Sequence, residues 1–165
     1  MGAERRVLVS APALRAGPLS LGPDAAKHLA VLRLAPGDSL ELFDGAGRRA
    51  VATVTALAGG DARVEVAPPE AAPPREAPLS LSLLFAVPKG DASDRIIRAC
   101  TELGVAHFIP VVSERTVAHP KPRRSLRWTR IAQEAARQSL RYIVPSVAPT
   151  QPLEEGLPRI AVNQD

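Results

Sequence analysis

From residue 67 the chain reads Ala67-Pro68-Pro69-Glu70-Ala71-Ala72-Pro73-Pro74-Arg75-Glu76-Ala77-Pro78, with five prolines in twelve residues. Proline fixes φ and donates no backbone hydrogen bond, so this stretch favours an extended, semi-rigid connection over a packed element. It divides the 165 residues into two parts with different rhythms. The expected organisation is a first domain over 1–67, a linker over 68–78 and a second domain over 79–165.

Before the linker, Arg6 to Ser10, Ser39 to Asp44, Arg49 to Leu57 and Ala62 to Ala67 are short β-branched or alternating runs. Turn signals at Pro36-Gly37-Asp38, Asp44-Gly45 and Gly59-Gly60-Asp61 separate them, which predicts a small β barrel or sandwich. One helix interrupts it, from Pro23 to Arg33, with Ala25, Leu29 and Leu32 on one face. After the linker, Leu79 to Val87 is a continuous apolar run expected as a strand buried on both faces. Asp91 to Leu103 is a helix with Ile96, Cys100 and Leu103 inward and Gly104 as its stop. A strand from His107 to Val112, a helix from Ser125 to Ile143 and a strand from Arg159 to Val162 complete the α/β signature of a parallel sheet with crossover helices.

Several function classes are excluded or disfavoured by composition. No apolar run reaches the roughly 18 residues that a membrane span needs, and the first ten residues carry no secretory pattern, so a cytoplasmic location is expected. A lone Cys100 and three histidines make neither a disulfide nor a credible zinc set, so no metal is expected. The aromatics are Phe43, Phe85, Phe108, Trp128 and Tyr142, too few for base stacking to dominate nucleic-acid binding. A phosphate-directed electrostatic mode fits better.

The net charge of +4 is unevenly spread. Residues 1–78 hold nine Lys/Arg and nine Asp/Glu, whereas 79–165 hold twelve and eight; Arg115 to Arg141 contains eight bases and one acid. On the helix from Ser125, the residues Arg127, Arg130, Glu134, Arg137 and Arg141 follow spacings of 3, 4, 3 and 4 and share one face, with Trp128, Ile131, Ala132 and Ala135 beside it. A plain solvated helix with ordinary Glu134 pairs would explain that face alone. The upstream loop His119-Pro120-Lys121-Pro122-Arg123-Arg124 adds three cations and no acid, which favours phosphate contact through Arg115, Lys121, Arg123, Arg124, Arg127, Arg130 and Arg137. His28 is read as a packed or capped side chain and Cys100 as a small core hydrophobe. Lys89-Gly90-Asp91, between a strand and a helix, reads equally as an anion-binding turn or a plain cap. Neither a G-x-G-x-x-G nor a P-loop is present in the second half.

Taken in order, these segments resemble the ribosomal RNA small subunit methyltransferase E family, a knotted SPOUT methyltransferase class with a PUA-like N-terminal domain. In the first half the resemblance lies at His28-Leu29-Ala30-Val31-Leu32-Arg33-Leu34, Gly37-Asp38 and Leu42-Phe43-Asp44-Gly45-Ala46-Gly47. In the second half it lies at Lys89-Gly90-Asp91, Thr101-Glu102-Leu103-Gly104-Val105, Pro110, Ser113-Glu114-Arg115, Arg127-Trp128, Glu134-Ala135-Ala136, Gln138-Ser139, Arg141 and Val144-Pro145. Two positions depart from the family pattern: Arg137 stands where Glu is common, and Leu140 where Gly precedes the Arg.

The resemblance implies an α/β chain: a PUA-like β-barrel followed by the first part of a SPOUT parallel-sheet domain. It further implies S-adenosylmethionine-dependent methylation of N3 of a uridine in 16S rRNA, by a homodimer acting on the small ribosomal subunit. Arg141 is then the candidate for the cation that stabilises the uridinate. The family's Gly-Pro-Glu-Gly-Gly cofactor segment would follow Asp165, so no cofactor-binding residue is carried over. The chain is read as a truncated or incomplete member, expected not to bind S-adenosylmethionine alone and to be poorly soluble or to self-associate. The alternative is a non-catalytic RNA-binding protein that keeps the PUA-like domain and the basic helix.

Overall fold

The computed structural model describes residues 5–58, 60–114 and 123–158, with the Arg123 side chain left aside. The first half runs β1 (Arg6–Leu8), β2 (Gly17–Leu21), α1 (Pro23–Val31), β3 (Ser39–Phe43), β4 (Arg48–Ala58), β5 (Asp61–Val66) and β6 (Glu70–Ala71). Alternation builds its core. Ala50, Ala52 and Val54 in β4, and Ala62, Val64 and Val66 in β5, are buried, while Val51, Thr53, Arg63 and Glu65 between them are exposed. That period of two is what a strand with one covered face requires. The sheet order is β1-β3-β4-β5-β2, antiparallel along this path except for the parallel β1–β3 pair. Strand β2 was not visible in the sequence, because Gly17-Pro18-Leu19-Ser20-Leu21 has neither β-branched residues nor a strong alternation.

Helix α1 starts with Pro23 in its first turn and Asp24 close behind, both suited to a helix N-terminus. Leu29 is wholly buried. The helix closes by a paired cap in which the Leu34 N–H donates to Leu29 O (3.1 Å) and the Arg33 N–H to Ala30 O (3.0 Å). This places Arg33 in the left-handed region at φ 54°, the position where helices commonly use glycine.

The proline-rich stretch is not wholly unpaired. Glu70 and Ala71 lie antiparallel against Arg49 and Arg48 of β4, and Arg49 forms an ion pair with Glu70 at 2.6 Å. The ladder is only two residues long, since Pro68-Pro69 and Pro73-Pro74 on either side supply no N–H. By chain contacts the first unit comprises Met1–Arg75 together with Leu140–Ile143, and the second comprises Glu76–Ser139 and Val144–Asp165.

The second unit runs β7 (Leu81–Ala86), α2 (Ala92–Glu102), β8 (Val105–Val112), α3 (Arg123–Gln138), β9 (Ser146–Val147), β10 (Gln151–Pro152) and α4 (Leu153–Gly156). Strands β7, β9 and β10 all pair parallel with β8, so the expected parallel sheet is present. Gly104 follows α2 at φ 100° and stops it as expected. Its core gathers Phe85, Val87, Ile97, Val105, Phe108, Trp128 and Ala132.

Three expectations about this unit change. Strand β7 is not buried on both faces: among the described residues it pairs only with β8, and Leu81 is 47 % exposed. The inward face of α2 centres on Ser93, Ile97 and Thr101, all fully buried; Ile96 and Cys100 pack against the core as expected, whereas Leu103 is 77 % exposed. Small polar side chains let the helix lie close to its neighbours, a choice that hydrophobicity alone does not reveal. Helix α3 ends at Gln138 and not at Ile143, because Leu140 turns into the left-handed region at φ 64°. The expected strand Arg159–Val162 lies outside the described residues.

Candidate nucleic-acid interface

Helix α3 has the two faces that its spacing predicts. Trp128, Ala132, Ala135 and Ala136 are fully buried, while Leu126, Arg127, Arg130 and Gln138 are exposed. The Trp128 indole N–H donates to Asp94 Oδ1 of α2 at 3.1 Å, and Arg127 donates to the other carboxylate oxygen through Nε (2.9 Å) and Nη2 (2.6 Å). One carboxylate thus satisfies a buried donor and holds a guanidinium whose side chain stays 68 % exposed. Arg124 donates to the carbonyl of Gly90, and its guanidinium carbon lies 5.8 Å from the centre of the Trp128 ring.

The predicted cations therefore differ in what they can offer an anion. Arg130 is exposed and has no partner among the described residues. Arg127 and Arg124 are anchored but still reach solvent. Arg137 is turned back onto Glu134, with Nε at 3.1 Å and Nη2 at 2.6 Å from its carboxylate oxygens, and its side chain is only 16 % exposed. It is thus the poorest phosphate ligand of the described set. Arg115 and Lys121 lie outside the described residues, and of Arg123 only its place at the start of α3 is described. Lys89, Gly90 and Asp91 precede α2. Asp91 forms an exposed pair with Arg95, and the Asp91 side chain makes no cap bond to the helix.

Arg141 is not on the face that the helical spacing gave it. It follows the left-handed Leu140, belongs to the first unit and is only 6 % exposed. Around it the first unit holds a buried ionic cluster that the sequence reading missed. The Arg6 Nε donates to Glu41 Oε1 at 2.7 Å, and Arg6 Nη2 donates to the carbonyl oxygen of Arg141 at 3.2 Å. Glu41 Oε2 also accepts from Arg49 Nη1 (3.0 Å) and from the Tyr142 hydroxyl (3.1 Å). The Arg6 guanidinium carbon lies 4.4 Å from the Phe43 ring centre and 4.6 Å from that of Tyr142.

Arg6 is 1 % exposed and Glu41 5 %, so both charges have lost nearly all their water. Removing one member of such a pair costs about 3–5 kcal/mol, although the intact pair adds little net stability over a hydrophobic one. The hydrogen bond to Glu41 is the main cause that raises the Arg49 pKa further above its ordinary value. Elsewhere, burial alone pushes the Cys100 thiol up, which leaves less thiolate and agrees with a packing role. A glutamate inside Leu40-Glu41-Leu42-Phe43 was the available signal for the cluster. A charge within an apolar strand run is rarely buried without a partner.

With this geometry in place, the relatives can be compared. The family model described as an RNA methyltransferase domain matches residues 75–164, and the one described as an RNA methyltransferase PUA domain matches residues 21–67. A ribosomal RNA small subunit methyltransferase E from Synechocystis is 42 % identical over 118 residues, which is 72 % of this chain and 38 % of that protein. The Bacillus subtilis protein of the same name is 38 % identical over 90 residues, 52 % of this chain and 35 % of its own length. The crystal structure of a ribosomal RNA small subunit methyltransferase E from Neisseria gonorrhoeae, bound to S-adenosyl methionine, superposes with a TM-score of 0.84 at 30 % identity. It covers 93 % of this chain and 64 % of that one. The chain spans less than half the length of these two curated relatives.

Proposed function

The chain belongs to the ribosomal RNA small subunit methyltransferase E family, with its PUA domain ahead of its RNA methyltransferase domain, and from that membership we propose that it serves the methylation of N3 of a uridine in 16S rRNA. The observation that carries this reading is the succession of the two family matches along one chain, over residues 21–67 and 75–164. The methyl donor in this reading is S-adenosylmethionine, which supplies an electrophilic methyl group when bound. Its acceptor is the small ribosomal subunit or its RNA, and the working form is a cytoplasmic homodimer. No helix among the described residues is long and apolar enough to cross a membrane.

No residue of this chain is assigned to the donor. In open parallel sheets such a ligand lies beyond the carboxyl ends of the strands, where the described loop after β7 offers one glycine, Gly90. A Cβ there would meet no protein atom within 4 Å, so the space beside its backbone is open. The roles assigned to this chain are accordingly those of the RNA side.

Arg124, Arg127 and Arg130 contact phosphates, with Arg115, Lys121 and Arg123 extending the run and Arg137 contributing least. Arg141 is the candidate cation. Loss of the N3 proton leaves negative charge on the uracil ring, and a guanidinium fixed beside it stabilises that charge without reorganisation. Positioning supplies the remainder, by holding the base in line with the methyl group.

Nucleoside mass spectrometry of 16S rRNA from a strain deleted for the gene tests the proposal. N3-methyluridine is expected to disappear and to return with the gene in trans. Unchanged N3-methyluridine in the deletion strain would overturn it.

A further inference from the structure

Two independent features meet at the entrance to Arg141. The preceding residue, Leu140, holds a left-handed φ of 64°, which a side chain adopts at a cost and keeps only where its surroundings enforce it. The four residues Leu140–Ile143 are then tied into the first unit at successive points. The carbonyl of Arg141 accepts from Arg6 Nη2, the carbonyl of Tyr142 accepts from the Gly47 N–H (3.2 Å), the Tyr142 hydroxyl donates to Glu41, and Ile143 bridges Ala46. The guanidinium at the centre of this arrangement is itself fixed by Glu41 and lies close to the rings of Phe43 and Tyr142.

A buried ion pair is a poor way to gain stability, since hydrophobic replacements often do as well. It is a good way to fix geometry, because a guanidinium bonds only along set directions. We infer that Arg6, oriented by Glu41, is a positioning residue for Arg141: it holds the Arg141 backbone so that the side chain keeps one orientation. This rests on the reading of Arg141 as the cation beside the reacting uridine. Arg6 reaches Arg141 through the peptide carbonyl, and no contact with RNA is assigned to it.

The test uses the product of the whole gene with small ribosomal subunits as acceptor, and compares Arg6→Lys, the pair Arg6→Met with Glu41→Met, Arg141→Ala, and Arg6→Lys combined with Arg141→Ala. Misplacement of a reacting group by about 1 Å can cost about 100-fold. Arg6→Lys is therefore expected to lower kcat by about 10- to 100-fold while KM for the subunit stays within about twofold. The Met pair is expected to melt below the parent, because Glu41 also serves Arg49 and the Tyr142 hydroxyl, yet to remain slow at temperatures where it is fully folded, which separates placement from stability. In the Arg141→Ala background, Arg6→Lys is expected to have no further effect on kcat.

Hydrogen exchange adds a readout that does not depend on activity: amides of residues 141–143 should exchange faster in Arg6→Lys and in the Met pair, with the rest of the first unit unchanged. Parental kcat in a folded Arg6→Lys variant, additive losses in the double variant, or a full kcat in Arg141→Ala would each overturn the inference. Absence of methyl transfer by the parent protein would instead sink the proposed function, and the exchange comparison would still decide whether Arg6 holds the segment.

Discussion

At the scale of single residues, the structure uses two side chains where backbone geometry favours glycine. Arg33 closes α1 at φ 54° and Leu140 follows α3 at φ 64°. The left-handed conformation costs a non-glycine residue about 1–2 kcal/mol, partly offset on replacement by the greater freedom of glycine in the unfolded chain. Leu140→Gly is thus predicted to melt at or above the parent temperature, whereas Leu140→Val, whose branched Cβ suits this region least, should lose about 1–2 kcal/mol. Denaturant unfolding checks the order, and a more stable valine variant would contradict it. The departure at Leu140 was legible in the sequence as a missing glycine, but its consequence was not. Nothing in the residues of α3 shows that the chain abandons the helix there, so Arg141 was assigned to a face it does not occupy. The Arg6–Glu41 pair was hidden for a different reason. Its members are 35 residues apart in the chain, and each reads locally as a charge at the end or middle of a strand.

At the scale of elements, the period of 3.6 gave the faces of α3 correctly because its buried stripe is plainly apolar or small. On α2 the same reasoning placed Ile96 and Cys100 against the core but misplaced Leu103, which is exposed, and passed over Ser93 and Thr101, which are buried. Close packing there is won by small volume, which hydrophobic periodicity does not score. The junction of the two helices rests on Asp94, which accepts from Trp128 and Arg127 together. Asp94→Ala would leave the indole N–H of a fully buried tryptophan without that acceptor, a penalty of about 1–3 kcal/mol. Trp128 is the single tryptophan of the chain, so its emission reports the site directly. The expected result is a lower unfolding midpoint with altered Trp128 fluorescence in the native state; Asp94→Asn, which keeps an acceptor oxygen, should recover part of the loss. An unchanged midpoint in Asp94→Ala would show that the carboxylate does not support the helix pair.

At the scale of the molecule, the division by charge held more information than the total. The excess of cations lies in residues 79–165, and on α3 it is partitioned between Arg127 and Arg137, tied to acids, Arg124, tied to the Gly90 carbonyl, and Arg130, which is not tied among the described residues. Much of the organisation followed from rhythm: alternating strands before the proline-rich stretch, then strand, helix, strand and helix after it. The buried cluster and the short strands β2, β6, β9 and β10 did not, because they depend on partners far along the chain. The central claim is that this chain provides an RNA-contacting surface through the cations of α3, and the salt dependence of its affinity for small-subunit rRNA tests that most directly. Each phosphate contact adds about 0.7–0.9 to the slope of log K against log salt. Replacing Arg124, Arg127 and Arg130 together by Ala is predicted to weaken binding and to flatten that slope by about 2. An affinity and slope equal to those of the parent, in a triple variant that still melts cooperatively, would contradict the account.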